Sequence, residues 1–225
     1  MRTIIHIGQH KTGTTSIQHF LRQHREDLAG RGLYVPDSVA GHDNPSHYIL
    51  NVYALEEDRY STVKETLLKI KPKEYFLELQ RELRRDVSRH YELAQKLGCR
   101  DVIWSNEGLY LLNSISEYVR LRELFDPYSS SVVCVCCFRE VESYRKSYIQ
   151  QLEKQGLTPS ENTDSYRYVE EDSWLFDYSR KMGILNEVFD QLITFDYNKQ
   201  DNVKSFFEEI GYPVGNAESI RLNET

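Results

Sequence analysis

The hydrophobic positions of this chain fall into four short apolar runs that are separated by longer amphipathic segments. The runs are rich in β-branched residues, which favour buried strands, and they cover residues 3–7, 101–105, 132–138 and 192–197. Strands that alternate with helices in this way predict a parallel sheet covered by helices on both faces. We therefore expect one α/β domain over residues 1–225, built as a three-layer sandwich around a central parallel sheet.

Helical segments fill the intervals between these runs. The first helix follows residues 3–7 and places Ile17, Phe20 and Leu21 on one face, as an amphipathic helix requires. A long, strongly charged helical region then ends at Gly98, because glycine commonly terminates helices. The helical segments predicted after the first helix are residues 48–97, 114–126, 141–152, 174–190 and 203–210.

The composition is that of a soluble globular protein, with 40% hydrophobic and 28% charged residues. No apolar run approaches the roughly 18 residues that a membrane-spanning helix needs. Met1 and Arg2 lead directly into the first strand, without the hydrophobic region of a signal peptide. These features predict a cytoplasmic protein without a transmembrane segment.

The charge balance argues against nucleic acid as a partner. The formal net charge is −7, whereas proteins that bind nucleic acids carry basic patches. An acidic chain binds a polyanionic ligand through a few local cations and backbone N–H groups. Three of the cysteines lie in one apolar run, so we expect buried free thiols rather than a zinc site at Cys99, Cys134, Cys136 and Cys137.

The stretch at residues 3–22 has the layout of a phosphate cradle: a strand, a loop with glycines and a helix. Gly8 and Gly13 have the spacing of a nucleotide-binding P-loop, but Thr14 occupies the position of its invariant lysine. The lysine of this loop is Lys11, which lies upstream. A triphosphate with its Mg²⁺ therefore fits poorly. The alternative interpretation is an ordinary strand-to-helix turn with a hydroxyl cap.

The sequence His-Lys-Thr-Gly-Thr-Thr-Ser at residues 10–16 resembles the 5′-phosphosulfate loop of the PAPS-dependent sulfotransferases, in the form common among bacterial and Golgi-type members with a P-loop NTPase-like fold. The resemblance implies PAPS as the donor, PAP as the product and no metal. It implies that Lys11 neutralises charge on the bridging and leaving oxygens, while Thr14, Thr15 and Ser16 hold the 5′-phosphate. The residues that it assigns to the nucleotide are Gly8, His10, Lys11, Thr12, Gly13, Thr14, Thr15 and Ser16.

A second pair of residues resembles the same family further along the chain. Arg139 follows the apolar run at residues 132–138, and Ser147 lies eight positions later. Sulfotransferases use such a pair for the 3′-phosphate of PAPS, because an arginine can fork onto phosphate oxygens and a serine adds a hydroxyl donor. The resemblance therefore implies that Arg139 and Ser147 select PAPS over ATP.

Two residues are candidates for removing the acceptor proton, and the sequence leaves the choice open. Glu107 closes the tripeptide Ser105-Asn106-Glu107, which resembles a Ser-Ser-Glu-like motif of the family and follows the second predicted strand. The alternative role for Glu107 is to cap the following helix. His47 ends a polar loop at about the point where bacterial members often have a histidine beside the acceptor site. The alternative for His47 is an ordinary loop histidine.

Three weaker features complete the resemblance. Residues 153–173 form a polar, tyrosine-bearing segment that we expect to act as a lid or acceptor-binding insertion. Tyr197 and Asn198 match a tyrosine followed by an acid or amide that the family has at a strand end. Residues 221–225 resemble an Asn-Glu-Ser stretch of the family, so we expect the native C-terminus to lie further on.

The function that the resemblance implies is transfer of a sulfuryl group from PAPS to a hydroxyl, or less readily an amine, of a carbohydrate or small-molecule acceptor. Two other functions stay open on the sequence. A P-loop kinase or NTPase would use Mg-ATP, and Asp196 at the end of an apolar run imitates the acid of a Walker B motif. A non-catalytic protein would bind the nucleotide without turning it over.

Overall fold

The computed structural model describes residues 1–197 and 201–215, and its central element is a five-stranded parallel sheet with the order β2-β3-β1-β4-β5. The strands are β1 (Arg2–His6), β2 (Leu33–Tyr34), β3 (Asp101–Ser105), β4 (Ser131–Phe138) and β5 (Gln191–Asp196). The chain adds β2 and β3 on one side of β1 and then β4 and β5 on its other side. The direction in which strands are added therefore reverses at β1. In open parallel sheets, this reversal is the usual place for a ligand.

Helices cover both faces of the sheet and connect its strands. They are α1 (Thr14–Gln23), α2 (Arg25–Gly30), α3 (Ile49–Ala54), α4 (Thr62–Ile70), α5 (Lys73–Lys96), α6 (Ile115–Glu123), α7 (Val141–Lys154), α8 (Tyr178–Val188) and α9 (Asn202–Glu209). Two short 3₁₀ turns follow β3 and α6, at Glu107–Leu111 and Asp126–Tyr128. The predicted α/β sandwich with a central parallel sheet is therefore confirmed.

The register of β1 with β3 determines where their loops begin. Ile4 of β1 lies opposite Ile103 of β3 and Val133 of β4. His6 ends β1 and lies directly opposite Ser105, which ends β3. The loops that follow these two strands therefore start side by side at one edge of the sheet.

Alternate residues of the central strands pack into two separate cores, because successive side chains of a strand point to opposite faces. Ile4 and Ile103 belong to the smaller core, which includes Phe206 of α9. Ile5 and Trp104 belong to the larger core on the other face. Burial on both faces explains why the strands read as nearly continuous apolar runs.

The charged helical region predicted at residues 48–97 consists of three helices. α3 stops where Leu55 adopts an extended backbone with ψ of 136°. Ser61 caps α4 by accepting a hydrogen bond from the N–H of Lys64. α5 follows Pro72, whose extended backbone separates it from α4. Its end before Gly98, at φ of 69°, matches the predicted glycine cap.

Two helix boundaries differ from the sequence-based expectation. The helix expected from residue 174 begins at Tyr178, because the Asp177 side chain caps it by accepting a hydrogen bond from the N–H of Arg180. Residues 174–176 are buried ahead of that cap. The helix expected to reach Asp126 ends at Glu123, and Pro127 lies within the 3₁₀ turn that follows. The helical spacing of apolar residues continues across both boundaries, so the sequence pattern did not show where these helices begin or end.

A fully buried lysine lies between α8 and the segment after β3. Nζ of Lys181 donates hydrogen bonds to the carbonyls of Tyr110, at 3.1 Å, and of Leu112. The ammonium also lies 4.9 Å from the centre of the Tyr110 ring and 5.3 Å from that of Trp174. Burial lowers the pKa of Lys181 to about 7. The carbonyls and aromatic rings stabilise the charged form of Lys181, whereas its loss of hydration destabilises that form and dominates the pKa.

The cysteines are packing groups. All four are buried and free, which confirms the prediction of buried thiols. Burial raises the pKa of Cys134 and of Cys136, so neither sulfur forms the reactive thiolate readily. Within residues 1–197 and 201–215, no cluster of three His, Cys, Asp or Glu side chains is placed to hold a metal ion. Over the same ranges, no helix has the length and apolar character to cross a membrane.

Candidate active site

The segment between β1 and α1, residues 7–13, forms a loop that is turned by two left-handed residues. Lys11 has φ of 66° and Gly13 has φ of 72°. Gly13 precedes α1 at its cap position and, as a glycine, has no side chain that could cap the N–H groups of the first turn. Such uncapped N–H groups, together with the helix dipole, favour an anion at this end of α1. The loop therefore has the geometry of a phosphate cradle.

Close packing requires glycine at the start of this loop. A Cβ atom at Gly8 would lie 2.7 Å from Nε2 of His6 and 2.8 Å from Cγ2 of Thr14. A Cβ atom at Gly13 would lie 3.0 Å from Nδ2 of Asn202. The backbone of the loop therefore packs against its surroundings at both glycines, and a larger residue at Gly8 would displace it.

Two buried amides that the sequence analysis did not single out brace the loop. Gln9 accepts a hydrogen bond from the N–H of Arg139 at 2.9 Å and donates one to Oη of Tyr110 at 3.0 Å. Asn202 of α9 donates a hydrogen bond to the carbonyl of Thr12 at 2.7 Å. Each amide ties the loop to an element that is distant in sequence. No local motif signals such residues, because their partners come together only in the fold.

The side chains of the loop and first turn divide into inward and outward groups. Thr12 is buried and donates a hydrogen bond to a loop carbonyl at 2.7 Å, and Thr14 is also buried. Lys11 and Thr15 are exposed, and Ser16 is half-buried. The outward group therefore presents an ammonium and two hydroxyls, whereas Thr12 and Thr14 can offer a ligand little beyond their backbone N–H groups.

Arg139 lies at the mouth of the loop, directly after β4. Its Nη1 donates a hydrogen bond to the carbonyl of Lys11 at 3.2 Å. Its guanidinium carbon lies 5.4 Å from the centre of the Tyr197 ring, which is within the range of a cation–π contact. The two cations singled out in the sequence thus meet at one loop. Asn198 and residues 221–225, which the resemblance also singled out, lie outside the described residues.

The hydroxyl that contacts Arg139 belongs to Ser143, which accepts a hydrogen bond from Nε of the arginine at 2.8 Å. Ser147 lies one turn further along α7 and is half-buried. Residues four positions apart share one helix face, so both serines face the same side as Arg139. The resemblance in the sequence pointed to Ser147 alone. Nothing in the sequence shows that Ser143, one turn earlier, is the serine that contacts Arg139.

His47 is built into the fold as a brace. Its side chain is buried, its Nδ1 accepts a hydrogen bond from the N–H of Ser105 at 3.0 Å, and its Nε2 donates one to the carbonyl of Pro36 at 3.2 Å. Burial lowers the pKa of His47 to about 4, against the opposing effect of the bond to Pro36. The imidazole is therefore neutral near pH 7, and both of its nitrogens are occupied by backbone groups.

Glu107 lies in an open position just beyond the end of β3. Its Oε2 accepts hydrogen bonds from Nε2 of Gln18 at 2.5 Å and from Oγ of Ser46 at 3.3 Å. The residue is half-buried and lines both a cleft of about 340 Å³ and an adjoining groove. Of the two acid–base candidates, Glu107 is thus the one that borders open space, and His47 does not line this cleft.

His10 lies in the wall of the same cleft. Its ring meets that of Tyr148 edge-on, with 5.7 Å between the centres, and its Nδ1 is buried with no partner among the described residues. Loss of hydration lowers the pKa of His10, the charge of Glu107 opposes that shift, and the charge of Lys11 adds to it. The charges of Lys11 and Glu107 therefore act on His10 in opposite directions.

The segment at residues 153–173, expected to act as a lid, is anchored at several points. The carbonyl of Tyr166 accepts a hydrogen bond from Oη of Tyr148 at 2.9 Å, and the carbonyl of Asp164 accepts one from Nη1 of Arg59 at 3.0 Å. From this segment, Gln155 lines the cleft beside Glu107. Residues 160, 162 and 164–167 instead line a second cavity of about 480 Å³.

The five-stranded parallel sheet with helices on both faces places the molecule in the α/β class of folds. The structure is similar to that of a sulfotransferase from Alicyclobacillus acidocaldarius, with a TM-score of 0.53, 15% identity, and 100% of this chain and 87% of that chain covered. It is also similar to a sulfotransferase domain from the curacin biosynthetic pathway, with a TM-score of 0.50, 12% identity, and 100% and 78% of the two chains covered.

These likenesses establish a sulfotransferase-like fold, because similarity at such low identity defines architecture rather than activity. No family model matches the chain. A search of curated proteins likewise finds no significant match. What the molecule does must therefore be argued from the loop, its cations and the cleft beside them.

Proposed function

We propose that this protein transfers a sulfuryl group from PAPS to a hydroxyl, or less readily an amine, of a carbohydrate or small-molecule acceptor. One observation carries the proposal. The N-terminal end of α1, Lys11 and Arg139 meet at the loop and form what we call its donor side, and the cleft lined by Glu107, which we call the acceptor side, includes His10 of the same loop. Because His10 belongs to both the loop and the cleft wall, the two sides are adjacent.

The donor side fits a nucleotide with separate 5′ and 3′ phosphates. The N–H groups at the start of α1, the hydroxyls of Thr15 and Ser16, and the ammonium of Lys11 would hold the 5′-phosphosulfate. Arg139, with Ser147 on the adjoining helix face, would hold the 3′-phosphate and so favour PAPS over ATP.

The chemistry assigns one task to each side. The acceptor oxygen forms a bond to sulfur while the bond between sulfur and the 5′-phosphate oxygen breaks, and that oxygen keeps the electron pair. Glu107 takes the acceptor proton through its carboxylate. Lys11 and the loop N–H groups neutralise the charge that builds on the leaving oxygen. Lys11 thereby takes the part that Mg²⁺ takes in a nucleotide kinase.

Calorimetric titration with PAP in EDTA, with ATP as the comparison, tests the donor site. We expect PAP to bind and ATP to bind more weakly. Arg139→Ala should weaken PAP binding about 10- to 100-fold, because it removes a charge-assisted contact worth about 1.5–3 kcal/mol. Arg85→Ala is the matched control, since this arginine is exposed on α5 and its ion pair with Glu82 is long, at 3.8 Å.

Three results would contradict the proposal. Binding of Mg-ATP without binding of PAP would indicate a P-loop kinase or NTPase instead. Equal loss of PAP affinity in Arg139→Ala and Arg85→Ala would show that the effect is not local. PAP binding without sulfuryl transfer to any acceptor, unaltered by Glu107→Gln, would indicate a nucleotide-binding protein that is not an enzyme.

A further inference from the structure

We infer that the cleft beside Glu107 takes an uncharged, hydroxyl-rich acceptor, such as a neutral glycoside, and disfavours acceptors that carry carboxylate or sulfate groups. The inference rests on the proposed sulfuryl transfer and names the acceptor class for it. The charge of the cleft, its amide groups and its apolar wall each support it.

The charges around the loop are divided between its two sides. The cations Lys11 and Arg139 belong to the donor side and do not line the cleft. Among the described residues that line the cleft, Glu107 alone is an acid, and none is a lysine or an arginine. Arg22, in the adjoining groove, is paired with Asp43 at 2.9 Å. An anionic acceptor would therefore meet one negative charge and no unpaired cation in the cleft lining.

Amides and hydroxyls supply the polar groups of the cleft. Gln151 and Gln155 project from α7 and its end, and Asn106 and Ser46 lie across from them in the lining around Glu107. Asn106 donates a hydrogen bond to Oγ of Ser46 at 2.7 Å, which fixes the orientation of its amide. Amides both donate and accept hydrogen bonds, so they match hydroxyl groups, which also do both.

Two polar atoms of the cleft residues have no partner in the described chain. These atoms are Nδ1 of His10 and Oδ1 of Asn106, and both are buried. Native proteins pair almost all buried polar atoms, so unpaired ones beside a cleft indicate that a bound molecule completes the hydrogen bonding. Neither atom belongs to a charged group at neutral pH, since burial lowers the pKa of His10.

An apolar wall completes the cleft. Oη of Tyr148 donates a hydrogen bond to the carbonyl of Tyr166, which turns the hydroxyl away and leaves the ring to the lining. The other apolar members of the lining are Val63, Leu111 and Leu152. An apolar wall with a few polar groups suits a ring that has one hydrophobic face and several hydroxyls. This combination favours a sugar ring over a flexible polyanion.

A matched acceptor panel tests the inference. The probes are p-nitrophenyl glucoside, glucuronide and glucosaminide, which differ at one substituent each, with radiolabelled PAPS as donor. We expect the glucoside to be sulfated at least about tenfold more efficiently, by kcat/KM, than the glucuronide, because a like charge at the Glu107 cleft weakens binding. The glucosaminide should also fall below the glucoside, because its ammonium would pair with the carboxylate of Glu107 and make that carboxylate a weaker base.

A charge introduced into the cleft should reverse part of this preference. Gln155→Arg places a cation at the cleft, on an exposed residue that can change without loss of core packing. The glucuronide-to-glucoside ratio of kcat/KM should rise about fivefold, as expected for a partly exposed ion pair. Gln150→Arg is the matched control, because it adds the same charge to α7 at an exposed position outside the cleft.

The results of the acceptor panel can contradict the inferred acceptor class in several ways. Preference for the glucuronide or the glucosaminide would overturn the inference, as would an equal effect of Gln155→Arg and Gln150→Arg. Sulfation of none of the three sugars by a protein that binds PAP would also overturn it, while leaving the donor site in place. Absence of PAP binding would remove the proposed sulfuryl transfer itself and the acceptor class with it.

Discussion

Glu107 and His47 show how the surroundings of a side chain decide what it can do. His47 precedes the short helix α3, Glu107 begins the 3₁₀ turn, and both lie near the end of β3, where the N–H of Ser105 bonds His47. Both nitrogens of His47 bond backbone groups. Gln18 and Ser46 both bond Oε2 of Glu107, so Oε1 has no hydrogen-bond partner among the described residues. Proton transfer requires contact with the acceptor, so the geometry favours the carboxylate as the base.

Removal of that carboxylate tests its role directly. Glu107→Gln keeps the size of the side chain and an oxygen for the bond from Gln18. We expect sulfuryl transfer to the preferred acceptor to fall about 10²- to 10⁴-fold, since that is the usual contribution of a general base. PAP affinity, measured by calorimetry, should stay within about twofold. A rate equal to that of the control variant Glu153→Gln, an exposed acid outside the cleft, would exclude Glu107 as the base.

At the scale of elements, the fold brings together segments that are separate in sequence. The segment that ends at His47 is joined to β3 through Ser105 and to Pro36 through its other nitrogen. The ring also packs edge-on against Trp104, with 5.1 Å between the centres. One imidazole thus positions the wall of the cleft that includes Ser46, although it does not line the cleft itself.

Loss of this brace should cost stability rather than chemistry. His47→Gln removes two buried hydrogen bonds and part of the ring packing, so we expect about 2 kcal/mol less stability. For a chain of this size, that change lowers Tm by about 4–8 °C in a thermal melt. PAP affinity should be unchanged, and transfer per folded molecule should stay within about threefold. An unchanged Tm together with lost transfer would instead identify His47 as the base.

Periodic apolar segments predicted most of the helices and strands, because the buried face of each element is visible in its local sequence pattern. The strands at β1, β3, β4 and β5 and the loop at residues 7–13 lie where the sequence placed them. β2 has only two residues, which are too few to show a period in the sequence, so it is not among the predicted strands. The sequence also led to Arg139 and Glu107, but not to Gln9 or Asn202, because bracing amides depend on contacts that no local spacing encodes.

At the scale of the whole molecule, Lys181 links stability to pH. The unfolded chain keeps the proton of a lysine up to its ordinary pKa of about 10.4, whereas the folded chain releases it near pH 7. Between these values the unfolded state binds more protons, so stability rises with pH and is lower near and below pH 7. The burial of one cation therefore shifts the most stable range of the molecule toward mildly alkaline conditions.

Urea unfolding at several pH values measures this contribution. Between pH 7 and pH 9, the wild type should gain about 2 kcal/mol in unfolding free energy relative to Lys181→Met. The comparison uses the difference in pH dependence, so a constant loss of stability from the lost hydrogen bonds does not affect it. Parallel pH profiles for the two proteins would show that Lys181 titrates normally in the folded chain.

The amide of Asn202 has a consequence for the order in which the protein is made. The loop at residues 7–13 is synthesised before α9, yet its carbonyl at Thr12 accepts a hydrogen bond from a side chain 190 positions further along the chain. A nascent chain that has not reached α9 therefore carries every loop residue without the brace that shapes the loop. Competence to hold a nucleotide should therefore appear only after α9 has been synthesised and has packed against the loop.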